Sequence, residues 1–133
     1  MIFSRAYSLR GTNLKIKLPR NWDVQEEGNL VSVFDPEKGF GVLQFSIYFV
    51  ENAAGLNLSD ELRDFLEDRT DDVEVKDCGG YSYSQFQDGE DTFWRYWIFR
   101  EGSHVVFASY NCTSEDAGSE DVSIDKIMKS VLG

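Results

Sequence analysis

His104 is the sole histidine of the 133-residue chain, so any Ser-His-Asp triad or histidine-based metal site must be built around it. It opens the apolar run "HVVFASYNC", and Cys112 closes that run. Eight residues of extended chain separate the two side chains by about 26 Å, which rules them out as a catalytic dyad. Cys78 lies in "DCGG", a turn with neither the following helix nor the lysine of a phosphate cradle, and reaches His104 only if the tertiary fold brings it there. The two cysteines have no C-x-x-C spacing and are expected as reduced thiols. The acidic groups "EDRTDD", "DGED" and "SEDAGSED" do not match the alternating oxygens and sharp glycine turn of a calcium loop, and they fit solvated loops. With 24 acidic residues some carboxylate pairs must lie close, so proximity alone does not point to glycosidase chemistry. No catalytic residue, metal site or cofactor is expected.

Aromatic rings supply the other chemistry. "FWRYWIF" (93–99) places rings at five of seven positions, and in a strand they must emerge on both faces of the sheet. If "DGED" and "EGS" close ordinary hairpins, Tyr81, Tyr83, Trp94, Tyr96, Val105 and Phe107 share one face. Ser82, Ser84, Phe93, Arg95, Trp97, Val106 and Ala108 then share the other. The second set alternates small and large residues, as a docked helix requires, with the Arg95 guanidinium over Trp97 or Phe93. Trp97 and Phe99 are assigned to the core. Tyr81, Tyr83, Trp94 and Tyr96 are the candidate contact surface, since Tyr and Trp bury area while keeping a polar tip; a covered core is the equal alternative.

The elements that must position these residues follow from periodicity. "NLKIKLP" alternates and stops at Pro19; "NWDVQEE" (21–27), "LVSVFD" (30–35) and "FGVLQFSIYFV" (40–50) continue as strands, the last two joined through "PEKG". Leu43, Phe45, Ile47 and Phe49 share a face opposite Gln44, Ser46 and Tyr48. In "NLSDELRDFLEDR" (57–69), Leu58, Leu62, Phe65 and Leu66 form one helical stripe, with Ser59 as cap. "VEVK" (73–76) leads into the meander of 81–87, 92–100 and 104–112, and Ile124, Ile127, Met128 and Val131 mark a C-terminal helix. The order β-β-β-β-α-β-β-β-α predicts an α+β fold, an antiparallel six- to seven-stranded sheet flanked by two helices. The 133 residues suit one domain, with 1–11 as a loose N-terminal arm.

The formal charge of −11 opposes nucleic acid and anionic membranes, and no apolar run approaches the roughly 18 residues of a membrane helix. The N-terminus has no continuous apolar segment for export, so a cytoplasmic location is expected.

The element order, "KLPRNWDV" with Pro19 and Trp22, and "LVSVFDPEKGFGVLQFSIY" resemble the PsbP/Mog-like family over roughly residues 12–132. Its members include photosystem subunits, a GTPase-binding protein, and chaperones or adaptors of secreted toxins, and many bacterial members are uncharacterised. The resemblance implies a scaffold for binding protein. The expected function is a non-enzymatic protein-binding domain whose partner's charge is basic if the acidity is used. Two alternatives stand beside it: an acidic immunity or chaperone-like protein for a basic bacterial toxin, and a small hydrolase or small-ligand-binding domain.

Overall fold

A computed structural model describes residues 5–9, 11–70 and 73–132. β1 (Arg5–Ser8) and β2 (Lys15–Leu18) form an antiparallel ribbon. β3 (Asp23–Glu27), β4 (Leu30–Phe34) and β5 (Gly41–Phe49) lead to helix α1 (Leu58–Leu66), and β6 (Lys76–Asp77), β7 (Tyr81–Asp88), β8 (Thr92–Glu101) and β9 (His104–Thr113) precede helix α2 (Asp121–Leu132). β3 to β9 make one sheet of order β3-β4-β5-β9-β8-β7-β6, in which every pairing is antiparallel. The predicted α+β class is observed, and the predicted order β-β-β-β-α-β-β-β-α gains two strands, β1 at the N-terminal side and the two-residue β6 after α1. Among the described residues no helix is long and apolar enough to cross a membrane.

Several local expectations shift. Of the expected arm 1–11, residues 1–4 and 10 lie outside the described residues; within the rest, Tyr7 pairs with Ile16 and Leu9 is fully buried. "VEVK" does not form a strand of its own; only Lys76 and Asp77 pair, against Tyr83 and Ser82. Asn57, not Ser59, caps α1: its side chain accepts the Asp60 N–H at 3.1 Å. The Ser59 hydroxyl instead meets that of Ser82 at 2.7 Å, so it docks the helix on the sheet.

The two sheet faces are covered unequally. On one, α2 and the β1–β2 ribbon bury Val33, Leu43, Phe45, Val106, Ala108 and Trp97 together with Ile16, Leu18, Trp22, Ile124 and Ile127. On the other, the shorter α1 seals Ile98, Tyr96 and Val105 beneath Leu58, Leu62 and Leu66, lying mainly over β7 and β8. The β3–β4–β5 side of that face has no helix over it.

A close approach fixes the centre of the sheet. Gly41 pairs with Cys112, and a Cβ there would lie 2.7 Å from the Tyr110 hydroxyl and against the Asn111 carbonyl. The carbonyl is backbone and cannot rotate away. Gly41→Ala should therefore cost about 2–3 kcal/mol, as overpacking a filled site does, read as a lower urea midpoint with unchanged slope; an unchanged midpoint would show that β5 and β9 have slack here.

Candidate functional site

The register of β7 against β8 separates the four candidate contact residues. Asp88 pairs with Thr92, so the connection is three residues long, with Gly89 in the left-handed region at φ 64°. Residues facing each other therefore sum to an even number: Tyr83 stands opposite Trp97, and Ser84 opposite Tyr96. An ordinary hairpin at "DGED" would have shifted this by one residue, and a one-residue shift moves every side chain of a strand to the other face. Tyr81 and Tyr83 thus join Arg95 and Trp97 on the α2 side, while Ser82 and Ser84 join Trp94 and Tyr96 on the α1 side. The grouping of β8 with β9 stands as expected, with Trp97 opposite Ala108 and Tyr96 opposite Ser109.

On the α2 side Tyr83 belongs to an internal clamp. Arg95 is buried, and its guanidinium lies 4.7 Å over the Trp97 ring and 5.4 Å from the Tyr83 ring. It donates from Nε to the Tyr83 hydroxyl at 2.7 Å and from its terminal nitrogens to Asp125 at 2.7 Å and Asp121 at 3.2 Å, both on α2. Tyr83 in turn donates to Gln85 at 2.7 Å. Burial alone would lower the Arg95 pKa, but the hydrogen bonds to Asp125 and Tyr83 outweigh it, and the guanidinium stays charged. Burial likewise raises the Tyr83 phenol, against the pull of Arg95. Lys76, Cys78, Tyr81 and Lys129 line a cleft of about 340 Å³ beside the clamp. This hydrogen-bonded arrangement holds α2 to the sheet.

On the α1 side Tyr96 is core, 4% exposed, stacked between Trp94 at 5.5 Å and Phe86 at 6.0 Å, with the Phe65 edge at 5.7 Å. Burial raises its phenol pKa. Trp94 is half-buried at the border of α1's cover. Beyond it the uncovered face opens as a cleft of about 430 Å³ walled by Tyr48, Phe65, Trp94, Tyr96 and Phe107, with Gln44, Ser46 and Ser109 as its polar floor and Arg69 at its edge. Tyr48 and Phe65 are exposed, and Phe107 contacts both rings, at 6.0 and 5.0 Å. Arg69 sits 4.5 Å over Phe65.

Farther along the same face the floor continues through Val42, Asn111, Thr92 and Phe34 into a second cleft of about 530 Å³, bounded by Pro36 and the exposed Phe40. Thr92 and Trp94 alternate on β8, as do Val42 and Gln44 on β5, so the two clefts form one trough along the open half of the sheet. Sequence alternation signalled Tyr48, which stands with Gln44 and Ser46 away from the Leu43 face. It gave no signal for Phe65, because that ring falls on the apolar stripe of α1.

His104 and Cys112 stand at opposite ends of β9, as their spacing required. His104 lies edge-on to the exposed Phe49 at 6.0 Å, and Cys112 is buried. Among the described residues no three His, Cys, Asp or Glu side chains gather as a metal site.

No protein-family model matches the sequence, and no curated protein does. Solved structures do match. The solution structure of cyanobacterial PsbP (CyanoP) from Synechocystis sp. PCC 6803 aligns with a TM-score of 0.69 over 98% of this chain and 92% of that one, at 13% identity. The fold is PsbP-like. A crystal structure from Bacteroides thetaiotaomicron VPI-5482 aligns with a TM-score of 0.57 and 17% identity over 86% of this chain. This chain spans 42% of that protein's length. At these identities the likeness is one of fold, and a fold hosts many functions.

In this PsbP-like fold the loop before α2 is tied to the sheet by a buried carboxylate. Tyr110 donates its hydroxyl to Glu120 at 2.7 Å, the Gly41 N–H also points to that carboxylate, and the Glu120 carbonyl accepts the Ile124 N–H at the start of α2. Desolvation, joined by the charges of Asp35 and Asp116, raises the Glu120 pKa against the two hydrogen bonds that lower it. A carboxyl whose folded pKa is raised binds its proton more tightly in the folded state. Its contribution to stability is therefore full below the unfolded glutamate range, near pH 4.3, and is lost as pH rises through the folded value. Glu120→Gln keeps an acceptor for Tyr110 without the buried charge. Its stability relative to the parent should increase from pH 4 to pH 7.5 in paired urea titrations; a pH-independent difference would assign Glu120 no such role.

Proposed function

We propose that this chain is a non-enzymatic, cytoplasmic protein-binding domain on a PsbP/Mog-like scaffold, and that it binds through the open face between α1 and β4. The observation that carries this reading is the row of rings at Tyr48, Phe65, Trp94 and Phe107, left open because α1 covers only the β7–β8 side of the sheet. Rings at a partly desolvated surface, beside hydroxyls and amides, are what interface hot spots are made of. Of the four residues proposed from sequence, Trp94 lines this surface. Tyr96 supports it from below, Tyr83 serves the α2 clamp, and Tyr81 lines the cleft beside that clamp. An acidic immunity or chaperone-like protein for a basic toxin is the narrower form of the same reading, supported by the charge of −11.

A second reading is favoured by one observation. The aromatic cleft, at about 430 Å³, is within the size range of small-ligand sites. A small ligand would raise the melting temperature, and the rise would continue with the logarithm of ligand concentration above its Kd, with no protein recovered.

Tyr48→Ala combined with Trp94→Ala removes two rings from the open face and leaves the Tyr96 core in place. In capture from the native cell with salt varied during elution, the double variant should lose about tenfold or more in affinity for the recovered partner, the size of a hot-spot loss. Its melting temperature should fall by only a few degrees. Full retention of the partner would remove this face from the reading.

A further inference from the structure

The acidic segments that look like separate solvated loops in the sequence meet at one end of the sheet. Thr92 pairs with Thr113, and the Ser114 N–H donates to the Asp91 carbonyl at 2.8 Å, which joins "DGED" to "SEDAGSED". The "PEKGF" turn stands at the same end, because Gly41 pairs with Cys112. These three segments contain a single cation, Lys38. Some of their carboxylates are committed inward: Glu120 to Tyr110, Asp121 to Arg95, and Asp35 to the backbone N–H groups of Glu37 and Lys38. Glu37, Glu90, Asp91 and Glu115 are exposed and make no ion pair among the described residues.

Between these loops lies the Phe34–Phe40 cleft, the lower half of the open trough. Phe40 is 39% exposed and belongs to neither buried cluster, so its ring is not needed for the core. Like charge around an apolar floor concentrates the field over that floor. The "PEKGF" turn and the "DGED" turn flank β9, so they stand about three strand spacings, roughly 15 Å, apart. A single small cation cannot neutralise both sides. An extended segment of about five residues spans that distance.

We infer that the acidic end of the open face takes a basic segment of a partner protein, with cations at both ends of about five residues and an apolar side chain between them seated against Phe40. The inference rests on the protein-binding reading and deepens it: the occupant's charge and pattern are set by this end of the trough.

The probe is a fluorescein-labelled synthetic peptide, Lys-Arg-Gly-Phe-Gly-Arg-Lys, with a second peptide in which Ser replaces Phe, followed by anisotropy and stopped-flow. Three variants of the full chain are compared: Phe40→Ser; Glu90→Gln with Asp91→Asn and Glu115→Gln; and a charge-matched control, Glu26→Gln with Glu27→Gln and Asp64→Asn, at exposed positions elsewhere. The loop triple variant should weaken the Phe peptide about tenfold, mostly through the association rate and only at low salt, and the control by threefold at most. Phe40→Ser and the Ser peptide should each raise the dissociation rate about tenfold, with no further loss when combined. Equal losses in the two triple variants would reduce the effect to overall charge and overturn the inference. So would a Ser peptide that binds as well as the Phe peptide, or a concentration-dependent dimer abolished by Phe40→Ser, which would make a second copy the occupant. If these arms fail while the native partner still depends on Tyr48 and Trp94, the inference falls alone. If the native partner ignores both ends of the trough, the protein-binding reading of this face falls with it.

Discussion

Each strand of the meander can show a given side chain to only one face, and the three-residue connection at Gly89 decides which. With Tyr83 opposite Trp97, a planar phenol, a guanidinium and an indole are gathered on the α2 side, and the charge of Arg95 finds two carboxylates on the helix above. With Ser84 opposite Tyr96, the α1 side receives two small residues, Ser82 and Ser84, both almost wholly buried. They let α1 approach closely. Their hydroxyls are satisfied by Ser59 and by the Glu74 carbonyl at 2.7 Å each, so the polar groups cost little where they are buried. A β7 shifted by one residue would place Tyr81 and Tyr83 beneath α1 and leave Arg95 facing serines.

Unequal cover is the next consequence. α2 works together with the β1–β2 ribbon, and Ser130 of α2 accepts the Lys17 N–H, so that layer spans the sheet from β5 to β8. α1 has nine residues, three buried, and no ribbon beside it. A helix of that length extends about 14 Å, while a seven-stranded sheet is about 30 Å wide. The open remainder is therefore a geometric necessity. Its composition is less constrained: a merely solvated face would be served by threonine, lysine and glutamate, yet Tyr48, Trp94 and Phe107 stand there. These rings pack on one another and on the edge of the core while keeping part of their area in water, which a purely solvated face does not require.

Much of this was legible in the residues. Period-2 alternation located β2, β4, β5, β8 and β9, period 3.6 located both helices, and the faces shared by β8 and β9 followed from reading "EGS" as an ordinary hairpin turn, which the structure narrows to Gly102 and Ser103. The side of Tyr81 and Tyr83 was not legible, because "DGED" accommodates loops of either parity and only the backbone at Gly89 selects one. The partners of Arg95 were hidden for a different reason: Asp121 and Asp125 lie on a helix 26 and 30 residues away, and nothing local in "FWRYWIF" points to them. The docking of β1 on β2 was hidden likewise, since four residues of mixed polarity carry no period.

Placement of the charge says more than its sum. A formal −11 spread evenly would only keep the molecule soluble. Here the loop between β9 and α2 does two things with its carboxylates. Glu120 and Asp121 turn inward and fasten the helix to β9 and β8, which fixes the loop's path. Thr113 donates to Asp116 at 2.9 Å and closes a short turn just after β9. With both ends of the loop held, Glu115 is carried on a segment hydrogen-bonded to the "DGED" turn through the Ser114 N–H and the Asp91 carbonyl. Carboxylates gathered at the mouth of the trough, with few cations beside them, give that end of the face a negative potential, and this is the ground on which a cationic occupant is inferred.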